Sequence, residues 1–277
     1  MTRPETTSLP RLVTSLPRLV GMVHLRPLPG SPRWEGSMAT VLDRASADAL
    51  SLARGGMDAV LVENFGDTPF ERGRVGAETC AALTLATAQV RDALNRAGFG
   101  PSQVKLGVNV LRNDAHTALG IAVATGADFM RVNVHTGTMF TDQGRMEGNA
   151  ASTLRDRARL GASVLIAADV HVKHGTPPAG EALESAARDT RHRGLADILI
   201  VSGSGTGAPV DVERLTRVRR AVPETPLWVG SGVTAETIRG LLEIADGVIV
   251  GSSIQEGGRG GSPVDPRRVE ALVAAAG

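Results

Sequence analysis

The 277-residue chain carries 30 basic against 29 acidic residues, a formal charge of +1, with no tyrosine and one cysteine. That length suits one large α/β domain with a sizeable core, while the balanced charge and the lack of a basic stripe interleaved with aromatics argue against nucleic acid as a partner. Lone Cys80 excludes an intramolecular disulfide and fits a reducing compartment; no apolar run is long enough for an integral membrane segment and none near Met1 resembles a signal peptide, so a cytoplasmic protein is expected.

The chain begins with a tandem duplication, TSLPRLV at 7–13 and again at 14–20. The second copy leads into an aliphatic run, so residues 1–18 are expected to be a disordered leader and 19–277 a single domain. Leu19 to Val23 reads as a strand ending at His24, followed by the Pro/Gly-rich LRPLPGSPRW and an amphipathic helix from Ser37 to Arg54. Asp58 to Val62 is the second strand, delivering Glu63; a helix runs from Ala77 to Ala97, and a third strand, Val104 to Val110, carries Asn109. After a helix from Asn113 to Ala124, the fourth strand, Phe129 to Val134, leads to Asn133 and His135 and a polar loop, TGTMFTDQGRMEGNA. Helix Ser152 to Leu160 precedes strand five, Val164 to Ala168, whose end reads DVHVKHG. Helix Glu181 to Arg193, strand Ile198 to Val201, a helix capped by Asp211, strands Leu227 to Val229 and Val248 to Val250, and a helix opening at Asp265-Pro266 complete the series.

Eight strand–helix units without a linker predict a (β/α)8 TIM barrel, and glycine followed by a short polar residue and an aliphatic run recurs in GGMDAVLV, TGADFMRV, LGASVLIA and RGLADILIV. An open doubly wound sheet would want a Gly-rich turn after the first strand, where His24-Leu25-Arg26-Pro27 stands instead.

In a barrel the active site lies at the C-terminal strand ends. Those ends deliver His24, Glu63, Asn109, Asn133, His135, Asp169, His171 and Lys173 as candidate catalytic groups. Period-2 parity puts Arg131, Asn133 and His135 on one face, and Ala167, Asp169, His171 and Lys173 likewise, facing the barrel interior and mouth. The last three strands end in small-residue turns that predict a phosphate cradle of Gly203, Ser204, Ser231, Gly232, Gly251 and Ser252, backed by helix ends. The reading is an isomerase, epimerase or aldol-type lyase on a phosphorylated sugar or nucleoside-like metabolite. Asp169 or Glu63 would serve as base, His171 or His135 as acid, and Asn109, Asn133 or Lys173 as oxyanion stabiliser. Lys173 as a Schiff-base amine is an alternative, although it lies two residues beyond His171. No redox motif suggests a nicotinamide or flavin, and no cofactor is expected; a divalent metal on His24, Glu63, His135, Asp169 and His171 is a minor alternative without HExxH or CxxC support. A homo-oligomer is left open.

The segments VGMVHLRPLPGSP, DAVLVENFGDTPF, GVNVLRND, ADFMRVNVHTGTMFTDQGRMEGNA, ADVHVKHG, ILIVSGSGTG, VGSGVT and ADGVIVGSSI together resemble the BtpA family, which also takes in the SgcQ-like proteins. The resemblance covers nearly the whole chain after Val20. It implies a (β/α)8 barrel related to phosphate-binding barrels, and, for some lineages, a role in photosystem I biogenesis. It therefore adds a second expectation, a non-catalytic assembly or stabilising factor, and brings no catalytic assignment of its own.

Overall fold

The computed structural model describes residues 16–203, 205–208 and 210–277. The eight aliphatic runs form strands β1 (Leu19–His24), β2 (Ala59–Glu63), β3 (Lys105–Asn109), β4 (Phe129–Val132), β5 (Leu165–Asp169), β6 (Ile198–Val201), β7 (Leu227–Val229) and β8 (Gly247–Val250). All pair in parallel with their sequence neighbours, and β8 pairs with β1 to close the barrel. The (β/α)8 expectation is borne out.

The helices between them are α1 (Met38–Arg54), α2 (Ala77–Arg96), α3 (Ala115–Thr125), α4 (Ala150–Arg159), α5 (Leu183–Arg188), α6 (Val212–Ala221), α7 (Ile238–Leu242) and α8 (Pro266–Ala276). Their starts follow local chemistry: Ser37, Asp114, Asp211 and Asp265 each accept a hydrogen bond from a first-turn backbone N–H. Helix α5 is shorter than the periodicity predicts, because Asp189–Arg193 widens into a π turn.

Two apolar layers follow from strand parity. Val23, Val60, Val62, Leu106, Val108 and Leu199 point outward against the helices. Val20, Met22, Ala59, Leu61, Phe129, Ala167, Ile198, Ile200, Trp228 and Ile249 fill the barrel interior. Phe129 and Trp228 meet edge-to-face at 5.5 Å, and Gly107 leaves room for Phe129, since a Cβ there would sit 2.3 Å from its ring.

Two features depart from the sequence reading. The polar loop after β4 contains an antiparallel hairpin, Thr138–Thr141 paired with Gly144–Glu147, and the short strand Gly175–Thr176 joins it as a third member. Val134, Met139, Met146 and Val172 form a small core of their own beside this sheet. At the other end of the chain, Leu16, Pro17 and Arg18, assigned to the leader, are attached to the barrel: Leu16 packs against the interior cluster, and the Arg18 backbone N–H donates to Asp58 Oδ2 at 2.9 Å. The expectation of disorder for residues 1–15 lies outside the described residues.

Candidate active site at the barrel mouth

The inward parity that buries Val20 and Met22 brings His24 to the top of β1, and the same alternation brings Glu63 to the top of β2 and Asn109 to the top of β3. These residues are direct neighbours in the sheet, His24 beside Glu63, Glu63 beside Asn109, and Asn109 beside Arg131 of β4. All four are buried. Asn109 Nδ2 donates to Glu63 Oε2 at 2.6 Å, and His24 Nε2 lies 3.7 Å from Glu63 Oε1, long for a hydrogen bond.

The protonation state of His24 follows from its other side. Its Nδ1 accepts from the Gly261 backbone N–H at 3.1 Å and from the Gln255 side-chain amide at 3.0 Å. The ring proton therefore sits on Nε2, aimed at Glu63. Burial pushes the His24 pKa down to about 4, with Glu63 opposing, so the imidazole is neutral at physiological pH. Phe65 stacks on it with ring centroids 4.2 Å apart.

Asp169, at the top of β5, is held differently. Arg131 grips it through Nε to Oδ2 at 2.9 Å and Nη2 to Oδ1 at 2.8 Å; Ser202 Oγ donates to Oδ1 at 3.0 Å and Asn133 Nδ2 to Oδ2 at 3.3 Å. Both carboxylate oxygens are thus occupied by charge-assisted donors, which tie this candidate base into the frame of the mouth. Strand parity places Arg131 inward without marking it as functional; the need of a buried carboxylate for a partner is the signal that points to it. Asn133 also changes role. With its Nδ2 on Asp169, its buried Oδ1 is left without a partner, so it offers an acceptor for a hydroxyl where an oxyanion donor is expected from sequence.

His135 and His171 are not brought to this cluster. Strand β4 ends at Val132, and His135 turns outward, its Nε2 donating to the Gly194 carbonyl at 2.8 Å beyond the π turn. His171 follows the end of β5 with φ 53°, which breaks the strand parity, and pairs with Glu181 at 3.0 Å. Lys173, placed too far out by its sequence position, returns to the mouth: a cavity of about 460 Å3 is lined by Glu63, Phe65, Arg112, Asn133, Lys173 and His174. Burial, reinforced by Arg131 and opposed by Glu63 and Asp169, pushes the Lys173 pKa down to about 8. Arg112, another group that no sequence pattern singles out, donates from Nη2 to the Lys173 carbonyl at 2.7 Å and fixes that backbone. Among the described residues no three His, Cys, Asp or Glu side chains converge as metal ligands, the five residues of the alternative metal set included.

The small-residue turns close the other half of the mouth. The Gly203 N–H donates to Ser231 Oγ at 2.8 Å. Gly232 has φ 70°; a Cβ on Gly230 would stand 3.2 Å from Arg131 Nη2 and one on Gly251 3.1 Å from His24 Cε1, so the ends of β7 and β8 adjoin Arg131 and His24. Ser204 lies outside the described residues. The turns do not run straight into helices as expected: α7 starts six residues after Gly232 and has five residues, and Ser252–Ile254 is a single 3₁₀ turn. Any anion held here therefore relies on backbone N–H groups and hydroxyls more than on helix ends.

A family model described as BtpA family matches residues 16–277. The chain belongs to the BtpA family. Among its relatives, the photosystem I biogenesis protein BtpA of Synechocystis sp. is 46% identical, with 93% of this chain and 87% of that protein covered. An uncharacterised protein of Pyrococcus horikoshii is 44% identical, covering 87% of this chain and 88% of its own length. Among solved structures, thiamine phosphate pyrophosphorylase from Pyrococcus furiosus superposes with a TM-score of 0.56 at 14% identity, covering 93% of this chain and 95% of that one. Phosphoribosyl anthranilate isomerase from Thermus thermophilus gives 0.56 at 12% identity, covering 93% and 97%. At such identities the structural likeness establishes the barrel alone. Among the described residues of this BtpA family member, no helix is long and apolar enough to cross a membrane.

Proposed function

We propose that this protein is an enzyme that moves a proton next to the carbonyl of a phosphorylated sugar or nucleoside-like metabolite, in an isomerase, epimerase or aldol-lyase type of reaction, with Glu63 as the base. The observation that carries the reading is the buried Glu63 itself. Asn109 holds one of its oxygens, and the other faces the mouth across a 3.7 Å gap to the neutral His24 Nε2–H. A carboxylate oriented by a neutral amide, beside a neutral N–H donor, is suited to take a proton while the donor meets the charge that develops on the carbonyl oxygen. Gly203, Ser231, Gly232, Gly251 and Ser252 supply the phosphate side, and Asn133 Oδ1 a hydroxyl contact. The phosphorylated compounds in the names of the barrel neighbours agree with that choice, by fold analogy only.

The test is a thermal-shift screen of phosphorylated sugars and nucleotides, followed by deuterium exchange from solvent into each ligand that binds. Glu63→Gln should bind the same ligands and exchange about 10²–10⁴-fold more slowly. Equal exchange in parent and variant, or none in the parent with any tight ligand, overturns the reading.

A second reading, an assembly or stabilising factor, is favoured by the name of the Synechocystis relative. Exposed Val123, Leu160 and Leu195 around a groove at the N-terminal end of the barrel offer it a surface. Sedimentation with anionic liposomes at physiological salt separates the two, since retention on the vesicles favours the second.

A further inference from the structure

The chain carries 28 arginines and only two lysines. One of them, Lys105, opens β3 at the end of the barrel remote from the mouth and pairs with Asp128 at 3.3 Å. The other is Lys173. The mouth holds two further cations, Arg131 and Arg112, and each is already engaged, the first with Asp169 and the second with the Lys173 carbonyl. Lys173 forms no ion pair among the described residues. Were a positive charge for an anion all that position 173 required, arginine would serve better, with its permanent charge and forked donors. An amine differs from a guanidinium in one chemical respect that matters here. It can shed its proton and attack carbon.

We infer that Lys173 is the amine that forms an imine with the carbonyl carbon of the substrate, which narrows the substrate class to phosphorylated aldehydes and ketones. The inference rests on the reading of the mouth as a site of carbonyl chemistry and deepens it. The geometry supplies what the step needs. Lys173 and Glu63 line the same cavity, the aromatic rings of Phe65 and Phe70 form an apolar part of its wall, and Arg112 fixes the backbone from which the side chain projects. The burial and the neighbouring Arg131 that bring the pKa down to about 8 leave about a quarter of the amine neutral at pH 7.5, against about a thousandth for an ordinary lysine.

The step balances as follows. The neutral Nζ adds to the carbonyl carbon, and its surplus proton passes to the carbonyl oxygen. The resulting hydroxyl departs as water with one proton from solvent, leaving a cationic C=N bond. Glu63 then accepts a proton from the adjacent carbon, or from the hydroxyl whose C–C bond breaks, and the electron pair moves into the iminium nitrogen as an enamine. Reprotonation and hydrolysis return the free amine.

Borohydride trapping tests this on the full chain. Glyceraldehyde 3-phosphate, dihydroxyacetone phosphate and ribose 5-phosphate are each incubated with protein and reduced, and the adduct is located by intact mass and peptide mapping. With two lysines in the sequence the assignment is direct. The expected result is one irreversible adduct on Lys173, with trapping that rises through about pH 8. Lys105→Arg should keep the adduct and Lys173→Arg lose it, and the parent alone suffices if the latter fails to fold. No adduct on Lys173 with any probe, while the parent still exchanges solvent deuterium, overturns the imine and leaves Glu63 chemistry standing. Neither adduct nor exchange overturns both.

Discussion

The Arg131–Asp169 pair decides whether Asp169 is part of the frame of the mouth or a group that reacts. Both side chains are essentially inaccessible, at 2% and 0% exposure, and two of the contacts between them are charge-assisted hydrogen bonds shorter than 3.0 Å. Arg131→Met leaves Asp169 with only Ser202 Oγ and Asn133 Nδ2 as donors and with an uncompensated charge. Breaking one side of such a pair costs about 3–5 kcal/mol, and Asp169→Leu should cost a similar amount. For a chain of this size that corresponds to a Tm lower by roughly 10 °C. The double variant Arg131→Met/Asp169→Leu removes both charges and fills the volume, so its cost should fall at least about 2 kcal/mol short of the sum of the two singles. Urea unfolding of the four proteins measures the cycle. If each single costs under about 1 kcal/mol, or if the costs add, Asp169 is not held by Arg131 and returns as a candidate base.

Two further outcomes follow from the same geometry. His24 is neutral when folded, with its pKa at about 4 against 6.5 unfolded, so between those values the unfolded chain binds the extra proton. Stability is then full above pH 6.5 and falls as pH drops towards 4, by about 3 kcal/mol at most from this group, and His24→Gln should flatten that part of the urea-midpoint profile. Gly230→Ala would place a Cβ 2.5 Å from both Ser202 Oγ and Ile200 Cγ2, so it should lower stability by about 1–3 kcal/mol in the absence of any ligand. An unchanged unfolding midpoint would mean that Gly230 makes no room for the Arg131–Asp169–Ser202 cluster.

Strand alternation makes half of the site legible and misleads on the rest. His24, Glu63 and Asn109 are the last residues of strands whose apolar neighbours fix which face is inward, so parity carries them into the mouth. The same rule fails beyond a strand end. Carried on from Asn133 to His135 and from Asp169 to His171, it crosses chain that is no longer extended; His171 has left-handed backbone, and the two rings are held by Gly194 and Glu181. The turns expected to cradle a phosphate read as helix openings because Gly-Ser-Gly before an apolar stretch looks the same whether a helix follows at once or only six residues later. The hairpin escapes notice because its alternation is short. Met139 and Met146 face each other inward while Phe140 and Arg145 face out, around the turn at Asp142-Gln143, but four residues a side is little against a background of polar loop.

That hairpin explains why Lys173, and neither His135 nor His171, lines the cavity with Glu63. Its first strand pairs on one edge with Gly144–Glu147 and on the other with Gly175–Thr176, through Phe140 with Thr176 and Thr141 with Gly175. The loops after β4 and β5 are therefore stitched together by backbone hydrogen bonds. The chain from Val170 to Thr176 cannot continue the strand; it must turn at His171 and again at His174, both with positive φ. The first turn sends the His171 ring towards Glu181, Val172 enters the small core with Met139 and Met146, and Lys173 is left directed into the cavity. Arg112 closes the arrangement from the loop after β3 by binding the Lys173 carbonyl. The position of the one lysine in the mouth thus depends on three loops acting together, a dependence that lies between segments far apart in sequence and that no local pattern around ADVHVKHG contains.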